Sequence, residues 1–158
     1  MSLELSDAAR AEIDEIVGRY PNPHASILPV MHVLQREHGF ITVDAKEWVA
    51  ERIGMAPSKV EEVLSFYTML YTAPTGKKHL QLCRSLACSL RGEEEITEAI
   101  RGEIGIGPGE CTEDGRFSFI KVECLGSCGT APVVQVNDDY HEGLTPERMQ
   151  ELLREWSR

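Results

Sequence analysis

The sequence lacks several features that would each have named a function class. Nowhere is there an apolar run long enough to span a bilayer, so any membrane association is expected to come through other proteins. Basic residues are few: 16 Lys and Arg stand against 26 Asp and Glu, for a formal net charge of -10, and no stretch concentrates them. Nucleic acid and anionic membrane surfaces are therefore poor candidates as ligands. The opening MSLELSDAARAEIDE is acidic and helical in pattern, unlike a secretion signal with its basic start or an Arg-rich transit peptide, and a cytoplasmic chain is expected. There is no C-x-x-C for disulfide exchange, no G-x-G-x-x-G after a strand, and no Walker-type loop. No Ser-His-Asp, paired-carboxylate or Cys-His arrangement stands out, so no catalytic residues and no substrate site are expected in this chain.

What is present is a folded chain. Its composition, 42% hydrophobic and 27% charged, supports a real core, and 158 residues suit one domain or a small domain with a helical attachment. The first part reads as successive helices. Ser6 caps a helix carrying Ala9, Ile13, Ile16 and Val17, broken at Pro21-Asn22-Pro23; a second covers 25–38, with Pro29 in its first turn and Gly39 as its stop. Asp44 with Glu47, and Ser58 with Glu61, read as capping boxes for two more, the latter with an apolar stripe ending near Tyr71.

Beyond Gly76 the pattern becomes strand mixed with helix. Strands are expected at 79–83, 117–124, 133–136 and about 140–142, with a helix from about Gly92 to Glu103. A last helix has Thr145 as N-cap, Pro146 at its first position, and Leu144 able to pack on Met149. The expected fold is α+β: a helical N-terminal region, 1–73, followed by a thioredoxin-like α/β domain, 77–158, in which a ligand loop replaces a central helix.

Five cysteines in a chain without a secretion signal favour metal or redox chemistry over a disulfide framework. Cys83 and Cys88 form C-x4-C at one strand end, and Cys124 and Cys128 form C-x3-C at another. Two thiolates from each side suit a 2Fe-2S cluster, in which each iron needs two protein ligands. Spacing alone leaves structural zinc and plain buried cysteines as alternatives. Gly126 and Gly129 would let backbone N–H groups approach the sulfurs, the helix beginning near Gly92 would offer its N-terminal dipole, and Arg84 and Arg91 add positive charge. Cys111, in GECTEDG, stands apart as a spectator thiol.

The stretches CRSLAC, IGIGPGECTEDGRFSFIKVECLGSCGTAP and VVQVNDDYHEGLT resemble the thioredoxin-like 2Fe-2S subunit of respiratory NADH:quinone oxidoreductase, the NuoE family of complex I. ILPVMHVLQREHGF and VEEVLSFYTML resemble that family's helical N-terminal region. The resemblance implies that Cys83, Cys88, Cys124 and Cys128 are the metal ligands, and that Cys111, where the family commonly has Thr, is not one. It implies an electron-transfer subunit of an NADH dehydrogenase. Its partner would be a flavoprotein binding FMN and NADH, with the cluster beside the flavin as a side acceptor. Further complex subunits would hold it at the bacterial inner membrane. Similar subunits serve NAD-linked formate dehydrogenases and NAD-reducing hydrogenases, and the motifs do not separate these assemblies. A zinc-stabilised interaction module and a disulfide oxidoreductase are the readings from other classes.

Other residues carry plainer expectations. His24, His32, His38, His79 and His141 follow no ligand spacing, with His79 and His141 only distant candidates as ligands. Phe66, Tyr67 and Tyr71 are expected to pack against neighbouring helices, with a docking surface as the alternative reading. Glu93, Glu94 and Glu95 are expected on a solvated helix face.

Overall fold

The computed structural model describes residues 3–158, and the chain divides into two compact units, Met1–Pro74 and Thr75–Arg158. The first unit is helical. It holds α1 (Asp7–Gly18), α2 (Ile27–His38), α3 (Val43–Ile53) and α4 (Pro57–Phe66), with a 3-10 turn, Pro23–Ser26, ahead of α2. Each helix turns one apolar stripe inward: Ile13, Val30, Met31, Leu34, Val49 and Val60 are sealed from water, each such burial contributing about 1.5–3 kcal/mol.

Helix boundaries follow local chemistry, though not always the expected chemistry. Ser6 does cap α1, accepting from the Ala9 N–H at 3.2 Å, and Pro29 does lie in the first turn of α2. The capping boxes are corrected. Thr42, not Asp44, caps α3 through the Ala45 N–H at 3.1 Å, because the helix begins at Val43. α4 starts at Pro57 behind an extended Ala56, so Ser58 is already inside the helix. It also stops at Phe66, short of Tyr71, where Gln35 competes for the chain. The Gln35 side chain donates to the Met69 carbonyl at 2.8 Å and accepts from the Tyr71 N–H at 2.6 Å. Phe66 is therefore exposed rather than packed against a neighbouring helix, and meets Tyr67 edge-on at 5.2 Å.

The second unit is a five-stranded sheet, in the order β2-β3-β1-β4-β5, with helices α5, α6 and α7. Its strands are β1 (Lys78–Cys83), β2 (Glu110–Cys111), β3 (Phe117–Val122), β4 (Val133–Val136) and β5 (Asp139–Glu142); its helices are α5 (Leu86–Leu90), α6 (Glu93–Ile104) and α7 (Pro146–Trp156). β1 and β3 run parallel, which requires a crossover, and α6 lies within it; the other pairings are antiparallel. The five-residue α5 and two-residue β2 lie outside the sequence expectation.

Strand side chains alternate between faces, and the alternation sets the layers. Leu80, Leu82, Phe117, Phe119, Val134 and Val136 share one face and one core with Ile96 and Ile100 of α6 and Met149 and Leu153 of α7. α7 is capped as expected: Thr145 accepts from the Arg148 N–H at 3.2 Å, and Leu144 and Met149 are both buried in that core. The residues between, His79, Gln81 and Cys83 of β1, lie on the opposite face and are also buried. The fold is α+β, a helical region preceding a mixed sheet.

Candidate metal centre

The last rung of the parallel pair places Cys83 opposite Val122, and the Arg84 N–H still donates to the Val122 carbonyl at 2.9 Å. Beyond that rung both chains leave the sheet at the same end. One enters α5, whose Cys88 turns inward; the other passes through Cys124 to a 3-10 turn, Cys128–Thr130. Two cysteine pairs far apart in sequence are thus delivered to one place. Cys83 and Cys88 are buried with Ala131 and Val133, while Cys124 and Cys128 are exposed.

The thiols approach one another pairwise. Cys124 Sγ lies 3.5 Å from Cys128 Sγ, Cys88 has Cys83 as an electrostatic neighbour, and Cys124 has both Cys83 and Ser85. Burial, then the neighbouring Cys83, pushes the Cys88 thiol up to about 11. The Gly126 N–H, donating to Cys124 Sγ at 3.4 Å, pulls Cys124 below the ordinary thiol range, while the Cys124 sulfur raises Cys128. Four thiolates side by side would repel strongly, so the set as it stands resists full ionisation. Bound iron cations would supply the positive charge that removes this obstacle, so an all-thiol donor set fits an iron-sulfur group. Among the described residues no three His, Cys, Asp or Glu side chains gather closely enough for a single metal ion. Two irons would relax that demand, since each could draw on one pair.

The surroundings amend several expectations. Gly126 adopts φ 81°, a left-handed conformation that suits glycine, and its N–H meets sulfur as expected. A Cβ on Gly129 would meet nothing within 4 Å, so close approach does not explain that glycine. Arg84 points to Glu123, with both Nε and a terminal nitrogen on one carboxylate oxygen at 3.0 and 2.5 Å. Glu93 is buried rather than solvated, and Lys121 compensates its charge at 2.7 Å. His79 pairs with Ser118 at 2.7 Å and His141 packs edge-on against Trp156 at 5.2 Å. Cys111 pairs with Ser118, four positions along β3 from Val122, or about 13 Å at the usual rise per residue.

The model of the thioredoxin-like [2Fe-2S] ferredoxin family matches residues 13–157, almost the whole chain. The chain belongs to that family. Among curated relatives of this ferredoxin, NADH-quinone oxidoreductase subunit 2 of Thermus thermophilus is 46% identical over 144 residues, covering 89% of this chain and 80% of the relative. A further NADH-quinone oxidoreductase subunit, from Rickettsia bellii, is 42% identical over 143 residues, covering 89% and 86%. These names bear out the resemblance to the NuoE family. The fold also matches a crystal structure of NAD+-reducing [NiFe]-hydrogenase in the H2-reduced state, with a TM-score of 0.73 at 18% identity, over 83% of this chain and 22% of that one.

Side chains of β5 also support the site, beyond what the sequence pattern predicts. Tyr140 Oη donates to the Leu125 carbonyl at 2.9 Å, and Glu142 accepts from the hydroxyls of Ser127 and Thr130. Only strand pairing brings these segments together, so local sequence carried no signal for them.

Proposed function

We propose that this ferredoxin holds one 2Fe-2S cluster on Cys83, Cys88, Cys124 and Cys128 and serves as an electron-transfer subunit of NADH:quinone oxidoreductase, complex I. The observation that carries the reading is the convergence of two cysteine pairs at the shared end of parallel β1 and β3. When bound, the cluster would accept and return an electron. The chain's own residues shape its site: Cys83 and Cys88 present thiols from a buried wall of Ala131 and Val133, and the exposed Cys124 and Cys128 present theirs toward solvent, or toward a neighbouring subunit. The Gly126 N–H stabilises negative charge on the Cys124 sulfur.

The relatives' names support placement in this oxidoreductase. The partner we propose is a flavoprotein carrying FMN and binding NADH, with the cluster beside the flavin. Among the described residues no helix is long and apolar enough to cross a membrane. The attachment we propose, to the cytoplasmic face of a bacterial membrane through partner subunits, is supported by the relatives' names.

The test is iron and acid-labile sulfide analysis of the purified chain, with electron paramagnetic resonance after dithionite reduction. Equal iron and sulfide with a reduced 2Fe-2S signal are expected. A colourless protein containing zinc would sink the reading. Purification of the native complex through this chain should bring an FMN-containing subunit with it, and its absence would remove the proposed partner.

A further inference from the structure

We infer that Tyr140 and Glu142 are positioning residues that hold the loop 124–128 in the shape a cluster requires; this rests on the ligation proposed above. The loop has little regular structure of its own. The strand ladder ends at Val122; within the loop the Gly126 N–H donates to Cys124 Sγ at 3.4 Å, and just beyond it the Thr130 N–H donates to the Ser127 carbonyl at 3.2 Å. Support comes from β5, and the register explains how. Glu142 pairs with Val133 and Tyr140 with Gln135. Leu82 pairs with Val134, so Cys83 stands on the same sheet face as Val133, Tyr140 and Glu142, turned away from α6 and α7. His141, between the two, faces the other way and meets Trp156.

The two side chains grip complementary points. Leu125 directly follows Cys124, and its carbonyl accepts from the Tyr140 hydroxyl at 2.9 Å. Ser127 directly precedes Cys128, and its hydroxyl donates to Glu142, as does that of Thr130 at 2.6 Å. The Gly143 N–H adds a backbone tie to the Thr130 carbonyl at 2.6 Å. Each thiol is therefore held by the peptide beside it, and one charged acceptor gathers both hydroxyls of the turn. This fixes the spacing of the exposed pair, whose sulfurs lie 3.5 Å apart. A loosened loop would let either thiol leave its iron.

The experiment compares the full chain with Glu142→Ala, Glu142→Gln and Tyr140→Phe. It measures bleaching of visible absorption by an iron chelator and the reduced resonance spectrum. Glu142→Ala should bleach at least about tenfold faster, the scale of one of the two hydrogen bonds to a charged group that it loses, with an altered spectrum. Tyr140→Phe should show a smaller change of the same kind. Glu142→Gln, whose neutral amide oxygen still accepts from both hydroxyls, should restore most of the unmodified rate. Unchanged rate and spectrum in Glu142→Ala and Tyr140→Phe overturn the positioning role while leaving the ligation standing, as does a Gln variant as labile as the Ala one. An unmodified chain without iron and sulfide overturns both. Should Glu142→Ala fail to fold, Tyr140→Phe decides alone, since it removes a single hydroxyl.

Discussion

Cys83 and Val122 face each other across the last rung of two parallel strands, and from that rung both cysteine-bearing segments depart. In an antiparallel pair the two chains would leave at opposite ends. Parallel pairing places both loops at one end of the sheet, and Cys111, on the neighbouring antiparallel strand, falls toward the other.

That geometry separates the cysteines by role. Cys124→Ser should abolish or severely weaken the cluster, because a serine hydroxyl is a poor substitute for thiolate on iron. Cys111→Ser should retain full iron and sulfide content. Metal analysis and the reduced resonance spectrum of both variants check this, and equal loss in the two would refute the ligand assignment.

Gly76, where the sequence pattern changes, is required for space. A Cβ there would meet the Phe117 carbonyl carbon, with Ser118 N at 2.5 Å and Phe117 Cα at 2.7 Å, all backbone of β3. Its N–H also donates to Ser118 Oγ at 2.8 Å. Gly76→Ala should therefore destabilise the chain by about 1–3 kcal/mol, the usual cost of overpacking, seen as a lowered thermal midpoint.

Two leucines of the second unit make a paired test of packing. Leu153 is fully buried between α7 and the sheet, whereas Leu90 is 77% exposed. Leu153→Ala should cost about 2–5 kcal/mol through the cavity it leaves, and Leu90→Ala less than about 0.5 kcal/mol. Denaturant unfolding of the two variants measures the contrast.

What was legible in the sequence was chemistry that acts locally or repeats. Thr145 and Pro146 announce α7 because a cap is made within one turn. The cysteine spacing announced a metal site because two residues on one loop must sit a fixed distance apart. α5 was hidden, since five residues, LACSL, are too few to show a helical period. β2 exists only through its pairing with β3. The Tyr140 and Glu142 contacts depend on the β4-β5 register and on where the loop returns, neither of which is written in either segment alone. α4 is shorter than its apolar stripe predicts, and Gln35, a side chain from another helix, holds the Met69–Tyr71 backbone beyond its end.

The buried His79 gives a pH dependence whose sign follows from its surroundings. Its ring meets Ser118 Oγ at 2.7 Å, and burial pushes its pKa down to about 4, against about 6.5 in an unfolded chain. Above pH 6.5 the ring is neutral in both states and its full contribution to stability is present. As pH falls from 6.5 toward 4, the unfolded chain takes up the proton and the folded one does not, so stability falls, by about 1.4 kcal/mol per pH unit inside that window. Between pH 7 and 5 the loss from this one group is about 2 kcal/mol. Carboxylates also titrate on the way down, so the informative comparison is with His79→Gln, which lacks this protonation and shares the others. The unmodified chain should lose more of its thermal midpoint between pH 7 and 5 than the variant does. Parallel losses in the two proteins would show that His79 is not held neutral by the fold.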